Sequence, residues 1–376
     1  MQLAATLPDI ARTPVAAPPL SAKVRAIVDA DLTPIVTTID RQGVYPEAVM
    51  RKLGAAGAYA QHLPVPGKDF SLSSAIDAMS IVSEACLSTA FCTWCQDAFA
   101  WYVANSDNDV LKSNVLGGAS TGAVLGGTGL SNPMKHFFGI EPLRLKGTRV
   151  DGGYRVKGAL PWVSNLGPDH HFGAVFERDD KPGHYVMAVV PCASEGLTLA
   201  NNSEFVALDG TRTFAVQMRD VFVSDDVIVG DPIDAYLKKI RAGFVLLQSG
   251  MAFGLIEGAI KLMEQARASL HHVNKYLPEQ PEQFRDQLSQ MKETVTALCE
   301  TPYDPSPAYW RKVVETRLAA GDATVAAAHA AMLHQGARGY VINGAAQRRL
   351  REAYFVAIVT PATKQLRKML AEMPAC

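Results

Sequence analysis

The sequence predicts an α+β fold in which a compact β unit lies between two helical regions. Residues 21–116 contain few glycines and have apolar side chains at spacings of three and four, which is typical of helices. Residues 117–232 are richer in glycine and alternate apolar with polar side chains, which is typical of strands. Residues 233–376 return to the helical pattern. We therefore expect a flexible leader at residues 1–20, an N-terminal helical domain, a middle β domain and a C-terminal helical domain.

The composition excludes several classes of protein. The chain has 376 residues, 36 basic and 37 acidic, and its formal charge of −1 gives no general attraction to nucleic acid or to an anionic membrane. No apolar run reaches the roughly 20 residues that span a bilayer. The N-terminus lacks the basic and apolar segments of a secretory signal. We expect a cytoplasmic protein with neither nucleic acid nor membrane as a partner.

The N-terminal region contains recognisable helix signals. Ser71 or Ser73 precedes an apolar segment as a helix N-cap, and residues 45–54 form a short helix that we expect to end at Gly54. A helical run at residues 88–105 contains a C-x-x-C pair but no second Cys or His pair at zinc spacing. This pattern favours two cysteines packed in a helix, and we expect no metal site.

The middle and last regions show their own turn and loop signals. Asp151, Gly152 and Gly153 lie between two alternating segments and predict a hairpin turn. In the helical C-terminal region, the polar stretches 271–282 and 301–307 are typical of loops between helices.

Four segments of the sequence are informative when taken together, and the third of them has a mainly architectural role. They are VLGGTGLS at 124–131, LPWVSN at 160–165, LDGTRTF at 208–214 and REAYFVAIVTP at 351–361. In this order they resemble the acyl-CoA dehydrogenase superfamily of flavoproteins over nearly the whole chain. The resemblance implies a central β-barrel-like domain, a C-terminal four-helix bundle, a bound FAD or FMN, and a homodimer or homotetramer.

The resemblance also implies which residues contact the flavin. Trp162 would pack near the ring, Ser164 would reach its N5–O4 edge, and Thr128 would contact the ring together with backbone amides. The segment HQGARG at 334–339 resembles a turn that meets FAD from a neighbouring subunit. Its candidate contacts are Gln335, Arg338 and Gly339.

The usual catalytic base of the family is missing. Thr360 occupies the place of the catalytic glutamate, and Phe244 occupies the place where a second lineage keeps that glutamate. A threonine hydroxyl does not act as a general base near neutral pH without an activating partner. The same resemblance has two further consequences. Residues 269–274 lack the Arg-x-x-Phe-Gly segment that is common in the family, and Arg351 would pair with Glu352.

The segment 130–138 departs from the family's thioester entrance, which makes a standard CoA-thioester substrate doubtful. Asn132 and His136 become candidate substrate contacts, together with Gln96 and Phe244. A relocated base is Asp97, because neighbouring aromatic side chains would desolvate its carboxylate and raise its pKa. Ser164 and Thr360 are the other candidate catalytic residues.

These observations favour a flavin-dependent oxidoreductase with non-standard chemistry. The first hypothesis is a monooxygenase-like enzyme that oxidises a small organic substrate and depends on a flavin reductase or an electron-transfer partner. One alternative is an acyl-thioester dehydrogenase, acting on a CoA or carrier-protein ester, whose base has moved. Another is a family member that binds flavin without turnover or has only a structural role.

Overall fold

The fold was determined as a computed structural model that describes residues 18–65, 67, 69–201 and 203–373. Most of the leader predicted at residues 1–20 therefore lies outside the described residues. Seven α-helices precede the sheet within the described residues: α1 Leu20–Ile27, α2 Val36–Gln42, α3 Glu47–Ala55, α4 Leu72–Ala85, α5 Leu87–Asn105, α6 Asp109–Leu111 and α7 Gly117–Thr121. The middle region contains β1 Gly126–Thr128, α8 Ser131–Phe137, β2 Lys146–Val150, β3 Gly153–Val163, β4 His171–Arg178, β5 Tyr185–Pro191, β6 Leu197–Ala200, β7 Phe214–Ser224 and β8 Ile228–Gly230.

The last region is helical. It contains α9 Asp234–Leu247, α10 Ser249–Asn274, α11 Pro281–Cys299, α12 Pro307–Gln335, α13 Ala345–Ile358 and α14 Thr363–Glu372. The order of helices, sheet and helices confirms the predicted fold class.

The N-terminal helices pack around α5, which is buried at every residue. Cys92 and Cys95 are buried free thiols within it, as the packed-helix interpretation predicts. Ser71 is the N-cap of α4, since its hydroxyl accepts a hydrogen bond from the Ser74 amide at 3.1 Å. The expected end of a helix at Gly54 is wrong. A Cβ there would lie 2.5 Å from the Thr121 carbonyl oxygen, so this glycine allows α3 to pack closely against α7.

The strands form one mixed sheet in the order β6-β7-β3-β2-β4-β5-β8, and β1 pairs with β4 in parallel. The predicted hairpin turn between β2 and β3 is confirmed, with Gly152 at a φ of 71°. One face of the sheet encloses its own apolar core, which includes Tyr154, Phe172 and Phe176. Alternate residues of β4 and β5, such as Val175 and Met187, instead join the helical core. The sheet therefore packs firmly against the helices on one side.

The C-terminal helices pack against α4, α5 and each other. The loop predicted at 271–282 is shorter than expected, because α10 continues to Asn274. The buried Asn274 amide donates to the His334 carbonyl oxygen at 2.9 Å and so fixes the end of α10 against α12. The loop before α12 is confirmed. One helical stretch, Asp234–Asn274, is long and apolar enough to cross a membrane, but its most apolar window is 94% buried inside the protein.

Candidate functional site

A cavity of about 400 Å³ lies where the sheet meets α5, α9 and the segment after α13. Its wall is mostly apolar and aromatic, with several hydroxyl groups. The lining residues come from six regions: Phe91, Trp94 and Cys95 of α5; Thr128, Leu130, Ser131, Met134 and Lys135 in and around α8; Trp162 and Ser164; Phe205, Ala207, Leu208, Thr211 and Thr213; Phe244 of α9; and Phe355, Ile358, Val359 and Thr360. The cavity thus brings together five predicted site residues: Thr128, Trp162, Ser164, Phe244 and Thr360.

Trp162 is a large aromatic side chain at the end of β3 that remains 54% exposed. Its indole N–H donates to the Ser203 hydroxyl at 3.3 Å, and its ring forms part of the cavity wall. A tryptophan is normally well buried. The uncovered ring therefore offers a flat apolar surface to a ligand.

Ser164 begins a row of hydrogen-bonded hydroxyl groups with a fixed direction. Thr211 donates to the Leu208 carbonyl oxygen at 2.7 Å, and its oxygen lies 2.8 Å from that of Thr213. Ser164 and Thr213 are 2.6 Å apart. Because each hydroxyl has one proton, Thr213 must donate to Thr211, and Ser164 must donate to Thr213. Ser164 therefore presents only acceptor lone pairs to the cavity.

Thr128 and Thr360 also offer hydroxyl groups at the cavity. The Thr128 oxygen is 2.8 Å from the Tyr102 hydroxyl. The Thr360 oxygen is 3.0 Å from the Ser131 hydroxyl, and the Thr360 carbonyl accepts from the Gln248 amide at 2.9 Å. The Gln248 amide oxygen in turn accepts from the buried Arg317 at 2.6 Å. This network holds the Thr360 backbone in place beside the cavity.

The lining of the cavity contains no carboxylate and no imidazole among the described residues. Its ionisable members are Lys135 and Cys95. Burial raises the pKa of the Cys95 thiol well above its usual range, so the thiol is neutral. The neutral thiol is not a base, and Lys135 is paired with the Glu141 carboxylate at 3.7 Å, so the lining offers no carboxylate base.

Asp97 does not reach the cavity, although three other residues of α5 line it. Its side chain is 1% exposed and lies on the opposite side of α5, with an oxygen 3.8 Å from His62 Nδ1 and no hydrogen-bond partner for either oxygen. Burial raises the pKa of Asp97 well above its usual range and lowers that of His62 to about 4, so both shifts favour the uncharged forms of the two groups. The geometry therefore corrects the prediction that Asp97 is a base in the pocket.

Gln96 is also turned away from the cavity. Its amide donates to the carbonyl oxygens of Ala119 and Val124 at 2.8 and 2.9 Å, and its oxygen accepts from the Gly126 amide at 2.7 Å. All its polar atoms are therefore occupied in fixing the start of β1. The structure does not support the prediction that it contacts substrate.

The segment 130–138 contains helix α8, and two of its candidate residues have structural partners. Asn132 is buried and bonds Glu141, the Pro142 carbonyl and the Arg144 amide at 2.8 to 3.0 Å. His136 lies 2.9 Å from the Tyr185 hydroxyl. Neither side chain lines the cavity, so the geometry corrects their prediction as substrate contacts.

The aromatic wall opposite the sheet includes Phe244 as predicted. Its ring centroid is 5.1 Å from that of Trp94, and Phe91 packs edge-on against Phe355 at 4.5 Å. These contacts make a rigid, water-excluding side of the cavity.

The predicted contacts to a neighbouring subunit lie outside this cavity. Gln335 donates to the Leu262 carbonyl oxygen at 2.6 Å, Arg338 is exposed, and Gly339 is buried in the turn after α12. Their role in binding a cofactor of another subunit stays a prediction. The expected pairing of Arg351 with Glu352 is wrong. Arg351 bonds Asp40 at 2.6 Å, whereas Glu352 bonds Arg349 at 2.8 Å.

One cluster in the described part of the chain has ligand atoms close enough for a metal ion: Glu47, Asp169 and His170. Arg51 bonds both carboxylates at 2.9 and 3.0 Å, and Arg212 bonds Glu47 at 3.2 Å. These guanidinium groups already neutralise the acids, and the cluster is an ion-pair network.

Three cavity residues, Thr213, Thr211 and Ser131, were not predicted from the sequence. The first two belong to a segment that we had treated as architectural, and Ser131 belongs to a segment that departs from the family. Thr213 immediately precedes β7, the neighbour of β3 in the sheet. The position of Thr213 next to β3 is the feature that would have identified it as a cavity residue.

Known proteins match both the N-terminal helical region and most of the chain. The model of the acyl-CoA dehydrogenase N-terminal domain matches residues 19–123. Human mitochondrial short-chain specific acyl-CoA dehydrogenase is 23% identical over 367 residues, covering 92% of this chain and 87% of that protein. Benzylmalonyl-CoA dehydrogenase of Aromatoleum aromaticum is 24% identical over 62% of this chain and 63% of its own length. Residues 19–123 belong to the acyl-CoA dehydrogenase N-terminal domain family, and the chain as a whole resembles these dehydrogenases over most of its length.

Solved structures share the fold of this acyl-CoA dehydrogenase-like protein and differ in chemistry. Butyryl-CoA dehydrogenase from Megasphaera elsdenii superposes with a TM-score of 0.81 at 15% identity, covering 94% of this chain and 96% of that one. Dibenzothiophene monooxygenase TdsC from Paenibacillus sp. A11-2, also solved with FMN bound, gives 0.79 at 14% identity, covering 93% and 95%. The acyl-CoA dehydrogenase-like fold therefore serves both dehydrogenases and monooxygenases, and this cavity must decide the chemistry.

Proposed function

We propose that this protein is a flavin-dependent monooxygenase that oxidises a small, largely apolar organic substrate. The observation that supports this most is the lining of the cavity, which has aromatic rings and hydroxyl groups but no carboxylate or imidazole among the described residues. An acyl-thioester dehydrogenase needs a group that removes the α-proton, and the cavity offers none. Oxygen transfer from a reduced flavin needs a dry, hydrogen-bonding pocket instead.

The residues present fit a flavin, FAD or FMN. The cavity volume lies in the range of about 300 to 1,000 Å³ that is usual for small-molecule sites. The half-exposed Trp162 offers a face on which a flat ring can stack, and Ser164 and Thr128 offer polar atoms for its edge. A bound reduced flavin would supply the two electrons with which oxygen is activated.

The direction of the hydroxyl row favours the reduced cofactor. Ser164 gives its only proton to Thr213, so it can accept a hydrogen bond from the cavity but cannot donate one. A reduced flavin ring has an N–H at N5, where the oxidised ring has a bare acceptor nitrogen. Ser164 therefore matches the reduced form, which a separate flavin reductase or electron-transfer partner would provide.

The aromatic wall contributes by excluding water. Phe91, Trp94 and Phe244 pack against each other and are each less than 10% exposed. A water-poor cavity strengthens every hydrogen bond within it and limits side reactions of activated oxygen. Thr360 and Ser131 place two further hydroxyl groups at the cavity. One of them donates to the other, and the remaining hydroxyl proton can be donated to oxygen or to substrate.

The deciding experiment compares how electrons enter and leave the flavin. Purified protein is loaded with FAD or FMN, and a short-chain acyl-CoA is added without oxygen. We expect no bleaching of the flavin, although dithionite bleaches the same sample. The reduced complex is then mixed with oxygen, and we expect hydrogen peroxide release to lag behind oxygen consumption.

Three results would contradict the proposal in different ways. Bleaching by acyl-CoA would establish dehydrogenation by a base that the cavity lining does not contain. Release of peroxide in one phase with oxygen consumption would exclude a protected oxygen-activating pocket. Failure to bind any flavin would leave the non-catalytic alternative.

A further inference from the structure

Leu208 is held in a backbone conformation that rarely suits its residue type. Its φ is 70° and its ψ is 22°, which lies in the left-handed helical region. Four non-glycine residues in the described part of the chain have a positive φ, and Leu208 alone among them has an apolar side chain. In this region the Cβ of an L-residue crowds its own backbone, which costs free energy that glycine avoids. Such strain persists where surrounding contacts enforce it, commonly at functional sites.

The backbone at Leu208 does not itself require leucine. Its carbonyl oxygen accepts hydrogen bonds from the Thr211 amide at 3.1 Å and from the Thr211 hydroxyl at 2.7 Å. Both bonds use a main-chain atom of residue 208, so they would form equally with glycine, which has no strain at this φ. The leucine side chain is therefore the feature that needs an explanation.

Residues 205–213 form a wall between two spaces. Leu208 is 4% exposed and lines the cavity, whereas its neighbour Asp209 lines an outer cleft of about 470 Å³. Phe205 and Thr213 line both spaces. The cavity and the cleft are therefore separated here by one segment of chain, with the Leu208 side chain on its inner side.

This wall is held in place by contacts that do not involve the Leu208 side chain. A Cβ added at Gly210 would lie 2.7 Å from Ile39 Cγ2, so the segment packs directly against α2. The Thr211 carbonyl oxygen accepts from the Asn165 amide at 2.9 Å, which ties the same segment to the end of β3. Loss of the Leu208 side chain would therefore leave space in the cavity, since the wall is not free to move into it.

We propose that the Leu208 side chain limits the size of the substrate that the cavity accepts. This role rests on the proposed function, to which it adds the residue that sets substrate size. Glycine at this position would remove the backbone strain and extend the cavity toward the cleft. The strained leucine has the opposite effect, because its side chain closes the cavity on this side.

Ligands for the test follow from the cavity lining. Ser164 accepts a hydrogen bond, and the aromatic wall around Phe244 packs against apolar groups. A phenol with an alkyl chain para to its hydroxyl matches both features. In the series para-ethylphenol, para-butylphenol and para-hexylphenol, each methylene that the cavity accommodates should raise the affinity about fourfold.

The flavin-loaded protein and its variants are titrated with the three phenols by calorimetry. In Leu208→Gly and Leu208→Ala, we expect the affinity for para-hexylphenol relative to para-ethylphenol to exceed the wild-type ratio by at least about tenfold, because room for two further methylenes corresponds to about fifteenfold. The affinity for para-ethylphenol should stay within about threefold of the wild-type value. Leu208→Phe adds volume to the wall and should lower the same ratio.

Stability is measured separately, since Leu208 also belongs to the hydrophobic core. Leu208→Gly should unfold at a higher urea concentration than Leu208→Ala, because alanine retains the strain that glycine removes. Asp220→Gly is the matched control, because it relieves a positive φ of 58° at an exposed residue outside the cavity lining. It should leave the ratio of phenol affinities unchanged.

The contrary outcomes are distinct. An unchanged affinity ratio in both small variants would overturn the role of Leu208 while leaving the flavin site intact. A rise in Leu208→Gly alone would also overturn it, because backbone mobility rather than side-chain volume would then control access. Should the small variants fail to bind flavin, an unchanged ratio in Leu208→Phe would overturn it equally. Binding of no phenol by any of these flavin-loaded proteins would overturn the proposed apolar substrate as well.

Discussion

Single hydroxyl protons set the hydrogen-bonding character of the cavity. The row from Ser164 through Thr213 and Thr211 ends on a carbonyl oxygen, which can only accept. The direction of the whole row follows from that last contact. Ser164 is consequently an acceptor toward the cavity, and this property can be changed without altering Ser164.

Thr213→Val should lower the midpoint potential of bound flavin. Valine cannot accept the Ser164 proton, so Ser164 becomes free to donate to the oxidised ring and loses its preference for the reduced one. A neutral hydrogen bond of about 0.5 to 1.5 kcal/mol corresponds to a shift of roughly 10 to 30 mV for a two-electron couple. The potential is measured by dye equilibration, with Thr294→Val on the surface of α11 as control. An unchanged or higher potential would contradict the assigned direction.

Asp97 should make the protein less stable as the pH rises. Its pKa is raised in the folded state, so above about pH 4 the native protein retains a proton that the unfolded chain has lost. His62 has the opposite effect between its folded pKa of about 4 and its usual value near 6.5, where the unfolded chain binds the extra proton. Above about pH 6.5 the Asp97 effect therefore remains alone, with a slope of up to about 1.4 kcal/mol per pH unit.

Asp97→Asn should flatten this dependence of the free energy of unfolding above about pH 6.5 while leaving flavin affinity unchanged. Urea unfolding at several pH values measures the slope, and Asp286→Asn on exposed α11 is the control. If the free energy of unfolding of the variant still fell steeply as the pH rose, a group other than Asp97 would be responsible for the pH dependence. A large loss of flavin binding would place Asp97 functionally at the cavity after all.

At the scale of elements, α8 is fixed by a single asparagine. Asn132 joins the start of α8 to the Glu141–Arg144 connection by three hydrogen bonds. Asn132→Ala should reduce the free energy of unfolding by about 2 kcal/mol, since it removes three part-buried hydrogen bonds made by a buried side chain. Denaturant unfolding tests this, with the exposed Asn114→Ala as control. Equal stability of the two variants would mean that the connection is held by other contacts.

The same elements show what the sequence could predict. Trp162, Ser164 and Thr128 were found because their short segments at strand ends resemble those of a known family. Which residues of α5 face the cavity was not predictable in this way. The helix is buried on all sides, so it has no amphipathic stripe that would place Asp97 and Gln96 relative to the cavity. The backbone path of residues 131–137 also depends on hydrogen-bond partners such as Glu141 and Pro142, which a local sequence pattern does not reveal.

At the scale of the whole molecule, one end of the helical bundle has an uncovered apolar surface. Tyr276, Tyr340, Val341 and Ile342 are each more than half exposed. The contact of Asn274 with the His334 carbonyl oxygen brings the ends of α10 and α12 together there. Exposed apolar patches of this kind mark protein interfaces. We therefore expect this surface, next to Gln335 and Arg338, to join copies of the chain in a homodimer or homotetramer.

Tyr340→Glu should weaken that assembly, because a charge at the centre of an apolar interface must be desolvated without a partner. We expect the mass measured by light scattering to fall from two or four chains toward one, at a protein concentration where the wild type is fully assembled. Val110→Glu is the control, because Val110 is an exposed apolar residue on α6, outside this surface. If the mutant lost only assembly, its riboflavin affinity would stay close to that of the wild type, since the cavity lining lies within one chain. A full-size assembly of Tyr340→Glu would instead place the subunit interface elsewhere and leave the end of the bundle without an assigned partner.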